Sequence, residues 1–277
     1  MTSTAPATTR PGPSRWAGAA RRLAWLGVLV GGTAAYLLVL HTLVATENLN
    51  FVPSLLLLGS IVVPASVLVF AASSGRQVIA PAGLLALVAV LGGVVGTVAA
   101  GTLEFDALHR LGALPMIMVG LIEEAAKLIV PVLVLVFSRH RSPRAGVIIG
   151  VASGMGFATL ETMGYGFNAL LSTRSLAAVE QTLLLRALLS PAGHVAWTGL
   201  TAAALWAVVG SVRPGRAVLR LVGVFVAAVL LHAAWDGFDS VVVHLVVGTI
   251  SVVALLVVIH RAHRTARPAG PAAAVTA

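Results

Sequence analysis

Apolar runs of about 20 residues, separated by short polar connections, recur along nearly the whole chain. As a helix, a run of that length crosses the ~30 Å hydrocarbon core of a bilayer. The pattern predicts eight such helices, at about 23–46, 52–72, 78–101, 114–137, 145–171, 187–210, 217–237 and 241–260. The predicted fold class is therefore all-α, a polytopic membrane helix bundle of about eight transmembrane helices. Three helices fill 23–101 and five fill 114–260, and the connections leave no room for a soluble domain. The ends, 1–22 and 261–277, lack apolar periodicity and are expected to be disordered.

Of the 277 residues, 58% are hydrophobic and 10% charged. The net charge of +9 would suit nucleic acid, but its distribution argues against that partner. Arg10, Arg15, Arg21 and Arg22 precede the first run, and Arg76 follows the second. Arg139, Arg141 and Arg144 follow the fourth. Arg213, Arg216 and Arg220 surround the turn after the sixth, and Arg261, Arg264 and Arg267 follow the eighth. These are fourteen of the eighteen basic residues. Arg110, Arg174 and Arg186 fall on the other side, and Lys127 lies inside. Excess Lys and Arg marks cytoplasmic loops, so both termini are expected in the cytoplasm. The charge orients the chain in lipid. The first run is too long for a cleaved signal peptide. The chain has no cysteine, which excludes disulfides and thiolate metal sites.

Several apolar runs contain ionisable residues, although each costs about 2.5–3.5 kcal/mol at a helix centre. They are Glu123, Glu124 and Lys127 in the fourth run, Glu161 in the fifth, His194 in the sixth, and His232 with Asp236 in the seventh. At 1.5 Å per residue, Glu123 and Glu124 lie roughly 14 Å below the outer end of their run, Glu161 and His194 about 10 Å, and His232 roughly 7 Å. Asp236 lies near the outer surface. Runs of opposite direction thus bring their polar residues to one layer in the outer half of the membrane. Helical periodicity sets Lys127 between the two glutamates and puts His232 and Asp236 on one face. Gly150 and Gly154 allow another helix close to the fifth run, which is expected in the middle of the bundle.

Less chemical readings exist for each group: an ion-paired brace at Glu123, Glu124 and Lys127, a protonated core carboxyl at Glu161, a capping pair at His232 and Asp236. His41 and His244 stand alone near helix ends. Glu104, Asp106, His109 and Arg110 are expected in a solvated outer loop. Ser153 and Ser190 are weak nucleophile candidates, and Trp197 and Trp235 read as packing. Taken together, carboxylates and imidazoles are ligands for zinc and similar divalent cations. A free carboxylate can serve as general base towards water. This chemistry fits hydrolysis inside the membrane. A proton- or cation-coupled transporter also fits, and a non-catalytic membrane scaffold is the third class.

The segments EEAAK (Glu123 to Lys127), FATLE (Phe157 to Glu161), GHVAWTG (Gly193 to Gly199) and HAAWD (His232 to Asp236) together resemble the ordered motifs of the PrsW family. These are bacterial intramembrane proteases within the superfamily of CAAX prenyl proteases and bacteriocin-immunity proteins. Glu161 and Asp236 favour the PrsW branch, and the resemblance covers about 114–240. It implies a catalytic membrane domain at 114–260 that cuts a membrane-anchored protein, such as an anti-sigma factor, on its extracytoplasmic side. It also implies catalytic roles for Glu123, Glu124 and His232, with Glu123 or Glu124 activating water. Glu161, His194, His232 and Asp236 would bind a divalent metal, zinc by family custom, or stabilise the oxyanion.

Overall fold

The computed structural model describes residues 15–73 and 80–264. Ten α-helices run in order: α1 Arg15–Thr46, α2 Val52–Ser73, α3 Ala82–Leu111, α4 Met116–Lys127, α5 Ile129–Phe137, α6 Pro143–Thr173, α7 Leu176–Leu189, α8 His194–Val209, α9 Pro214–Gly237 and α10 Val241–Arg264. No strand occurs among the described residues. Among the described residues, seven stretches are long and apolar enough to cross a membrane, with α7 and α8 counted as one. The outer surface of the bundle is rich in exposed Leu, Val, Ile and Phe, as lipid contact requires.

The run expected at 114–137 is two helices. Pro131 has no N–H to give to the Lys127 carbonyl one turn earlier. The Ser153 hydroxyl of α6 takes that carbonyl at 2.8 Å. At Leu128 the chain tightens, its N–H reaching Ala125 and Ala126. The sixth run starts earlier than the expected 187. Ser175 caps the Ala178 N–H and opens α7. A 3₁₀ turn at Ser190–Ala192, carrying Pro191, then separates α7 from α8.

Two further boundaries differ from expectation. The residues assigned to a solvated outer loop, Glu104, Asp106, His109 and Arg110, form the last turns of α3. Hydropathy falls after residue 101, but a helix stops at a breaker, here Gly112 with φ 71° in the left-handed region. At the ends, α1 includes residues 15–22 and α10 reaches Arg264. The rest of the expected disordered ends, 1–14 and 265–277, lies outside the described residues, as does Arg76.

Helix α6 is the central element, packed against α2, α3 and α8. Ser142 caps it and Pro143 occupies its first turn. A Cβ on Gly154 would lie 2.5 Å from the His194 carbonyl, so the start of α8 seats directly on this glycine. The expected partner, Gly150, is just as close to the Thr198 carbonyl. Gly120 does the same for α4 and α9: a Cβ there would stand 2.9 Å from the Val229 carbonyl and 3.4 Å from the His232 Cβ. These approaches decide where the polar side chains of α4, α8 and α9 meet.

Candidate functional site

Lys127 sits at the centre, fully buried. Its ammonium donates to Glu124 Oε1 at 2.6 Å and to His194 Nδ1 at 2.7 Å, and lies 3.4 Å from Glu123 Oε2. It also stands 4.6 Å from the centre of the Phe157 ring. With Nδ1 of His194 accepting, the proton of that imidazole is on Nε2, which lies 2.8 Å from Glu161 Oε2 without the alignment of a hydrogen bond. Arg186 of α7 reaches the same carboxylate oxygen at 2.7 Å and lies 3.8 Å over the Tyr165 ring. Each charge thus gains several partners, the condition under which buried ions are tolerated.

His232 is 1% exposed and closes the other side. Its Nδ1–H donates to Glu124 Oε1 at 2.9 Å, and its ring stacks on Trp197 at 4.9 Å between centroids. Trp197 is in turn held by its indole N–H, donated to Ser251 at 2.9 Å. The tautomer leaves His232 Nε2 as a lone-pair donor atom. It is buried with no hydrogen-bond partner, 3.5 Å from Glu123 Oε2 and 3.0 Å from Asp236 Oδ2. In that tautomer the lone pair of Nε2 faces two carboxylate oxygens, an arrangement suited to a cation.

Glu123, His194 and His232 each offer one ligand atom, all within 4.8 Å of one another. Donors about 2.0–2.1 Å from one zinc stand roughly 3.3 Å apart, close to the 3.5 Å and 3.8 Å separations of Glu123 Oε2 from His232 and His194. Four carboxylates (Glu123, Glu124, Glu161 and Asp236) face two permanent cations, Lys127 and Arg186. The formal surplus of negative charge favours a cation. The donor set and the orphaned nitrogen fit a metal.

All six residues singled out in the sequence (Glu123, Glu124, Glu161, His194, His232 and Asp236) meet in one cluster. The expected ligand set differs in part from the converging group. Glu161 is engaged by Arg186 and His194. Asp236, with its side chain 37% exposed, stands at the rim. Ser153 is structural, and His244 bonds the Trp235 carbonyl at 2.9 Å.

Sequence reasoning missed two residues. Arg186 was counted only as an outer charge, though its place before Ser190-Pro191 puts it one turn from the site. Glu104 lines a cleft of about 320 Å³ together with Glu123 and Glu161. Its Oε1 is buried without a hydrogen-bond partner. The signal available was the absence of any helix breaker between residue 101 and Gly112.

A lipid-facing exterior around an interior layer of carboxylates, imidazoles and one lysine defines a polytopic membrane protein with its chemistry inside the bilayer. The family model described as PrsW family intramembrane metalloprotease matches residues 53–260, and the chain belongs to that family. The match begins at α2, so α2 and α3 lie inside the family's domain, whereas the resemblance read from the four motifs covers only about 114–240. No curated protein and no solved structure matches the chain.

Proposed function

We propose that the protein is a peptidase of the bacterial cell membrane that hydrolyses a membrane-anchored protein on its extracytoplasmic side, an anti-sigma factor being one such substrate. The observation that carries this reading is the convergence of Glu123, His194 and His232 beside a cleft that Glu104 and Glu161 also line.

Glu123, His194 and His232 would hold the divalent metal that the family implies, His194 through the Nδ1 that the Lys127 ammonium would have to release, zinc suiting the donor set. Such an ion polarises a carbonyl oxygen and activates water. The chain's own groups divide the remaining work. Glu123 Oε2 points at the two imidazoles, leaving its second oxygen to take a proton from water in the cleft. Glu124 takes no direct part: it fixes His232 in the tautomer that presents Nε2, as carboxylates behind metal-bound histidines do. Lys127 balances Glu124. Arg186 holds Glu161 against His194 Nε2, and Asp236 stands over the open side of His232.

The test is cleavage of a single-pass membrane protein by purified enzyme in detergent. Loss of cleavage in Glu123→Gln with the fold intact supports the reading. Continued cleavage by a Glu123→Gln, Glu124→Gln double variant removes it, and cation uptake into liposomes by that protein would establish a transporter.

A further inference from the structure

Two donors beside the polar cluster have no partner in the chain, and both border one small cavity. The Nε of Arg186 and the hydroxyl of Ser190 are buried without a hydrogen-bond partner. Ser190 as a whole is 7% exposed. Its N–H bonds the Arg186 carbonyl, so the two residues stand one turn apart on one face of the end of α7. They line a cavity of about 80 Å³ together with His194, Trp197, Trp235 and Asp236. The side chains of Arg186 and Asp236 are 29% and 37% exposed, so the cavity is not sealed inside the bundle.

The unmatched groups dictate the chemistry of an occupant. A guanidinium N–H only donates, so the occupant has to offer an acceptor. An anion suits the cavity poorly: the Arg186 charge already faces Glu161 at 2.7 Å, and the Asp236 carboxylate lies on the wall. These charges favour a neutral acceptor, and a backbone carbonyl is the one that every peptide supplies. The volume exceeds several-fold the roughly 10–15 Å³ that admits a single water. A segment brought to this depth with its backbone open to attack exposes carbonyls that lipid cannot satisfy. Glu123, the proposed base, borders the other cleft and not this cavity. The carbonyl held here is therefore a neighbour of the one under attack.

We propose that this cavity is a subsite for the substrate backbone, in which the Arg186 Nε–H and the Ser190 hydroxyl donate to the carbonyl of a peptide unit next to the scissile bond. The assignment rests on the peptidase reading above. No bond is made or broken at either residue.

The test measures cleavage of a single-pass membrane protein in detergent by the unaltered enzyme, Ser190→Ala and Arg186→Lys, with kcat and KM separated and Tm read for each. Ser190→Ala removes a hydroxyl that bonds nothing in the chain, so Tm should stay where it is. KM should rise about three- to tenfold, the worth of one neutral hydrogen bond. The loss should fall on KM rather than on kcat, because the contact lies away from the reacting carbonyl. Arg186→Lys keeps a cation for Glu161 but lacks the Nε–H, and it should raise KM at least as much; if it fails to fold, Ser190→Ala decides alone. A synthetic transmembrane peptide with esters in place of the amides flanking the cleaved bond offers weaker acceptors, so Ser190→Ala should cost less on it than on the amide peptide. An unchanged KM in Ser190→Ala overturns the assignment and leaves the cavity to water. A lower Tm in that variant overturns it too, since the hydroxyl would then brace the fold, as does a loss confined to kcat. Absence of cleavage by the unaltered protein removes the peptidase reading itself, and the subsite with it.

Discussion

The Ser153 hydroxyl donates to the Lys127 carbonyl at 2.8 Å, the acceptor that Pro131 leaves without its helical donor. Helix α6 is thereby tied to the residue whose ammonium centres the polar cluster. Ser153→Ala should lower stability by about 1–3 kcal/mol, the cost of a buried carbonyl left unpaired. Pro131→Ala restores a backbone donor, so the double variant should recover part of that loss. Denaturant unfolding of the four proteins in detergent measures the coupling. Strict additivity would mean the two residues do not share that carbonyl.

Removing the ammonium should be far more damaging. Lys127→Met leaves Glu124, 2% exposed, beside no permanent cation. Breaking one partner out of a buried pair costs about 3–5 kcal/mol. Lys127→Met combined with Glu124→Gln should regain much of the stability and none of the activity.

Within the glutamate pair, Glu123→Gln should reduce turnover by about 10²–10⁴-fold, the usual worth of a general base, with little change in unfolding. Single-turnover kinetics on a membrane-anchored substrate provides the measure. Unchanged turnover would transfer the role to another carboxylate, Glu104 first, because it shares the cleft.

Glu124→Gln should act through His232. Loss of a carboxylate behind a metal-bound histidine weakens metal affinity about 10–100-fold. Metal analysis after chelator treatment and zinc titration should show this weakening for Glu124→Gln. His194→Ala and His232→Ala should show a still larger loss. Full zinc occupancy in His232→Ala would exclude the proposed ligand set.

Reporter fusions after Arg144 and Arg216 should read cytoplasmic, and one near Ser175 external. Basic residues crowd the first two positions, while acidic ones lie towards the other end of the bundle. An external signal after Arg144 would reverse the proposed orientation and place the cleft on the cytoplasmic side.

Much of the site was legible because membrane burial makes polar residues conspicuous. Glu123, Glu161, His194 and His232 stand out in apolar sequence, and counting depth at a fixed rise puts them in one layer. What the pattern hid was geometry set by single backbone groups. Pro131 was visible as a possible breaker, but the helix end at Lys127 depends on Ser153 receiving the freed carbonyl from another helix. Arg186 was hidden because α7 reads as a polar connection until Ser175 is seen to cap it. Glu104 was assigned to water because hydropathy marks where a helix leaves lipid, which is not where a helix ends. The split between Glu123 and Glu124 rests on which oxygen faces which imidazole, and no one-dimensional spacing encodes that.

The cleft that admits Glu104, Glu123 and Glu161 is also walled by Ala100, Gly101 and Gly164. An α-helix with its side chains is about 10–12 Å across, whereas an extended strand is a single backbone wide. A space of about 320 Å³ suits the strand better than the cylinder. On the proposed function, a membrane-spanning substrate must therefore uncoil before it can be cut. Susceptibility would follow how readily a segment melts, so that glycine, proline or serine a turn away from the scissile bond would govern the rate more than the residues flanking it.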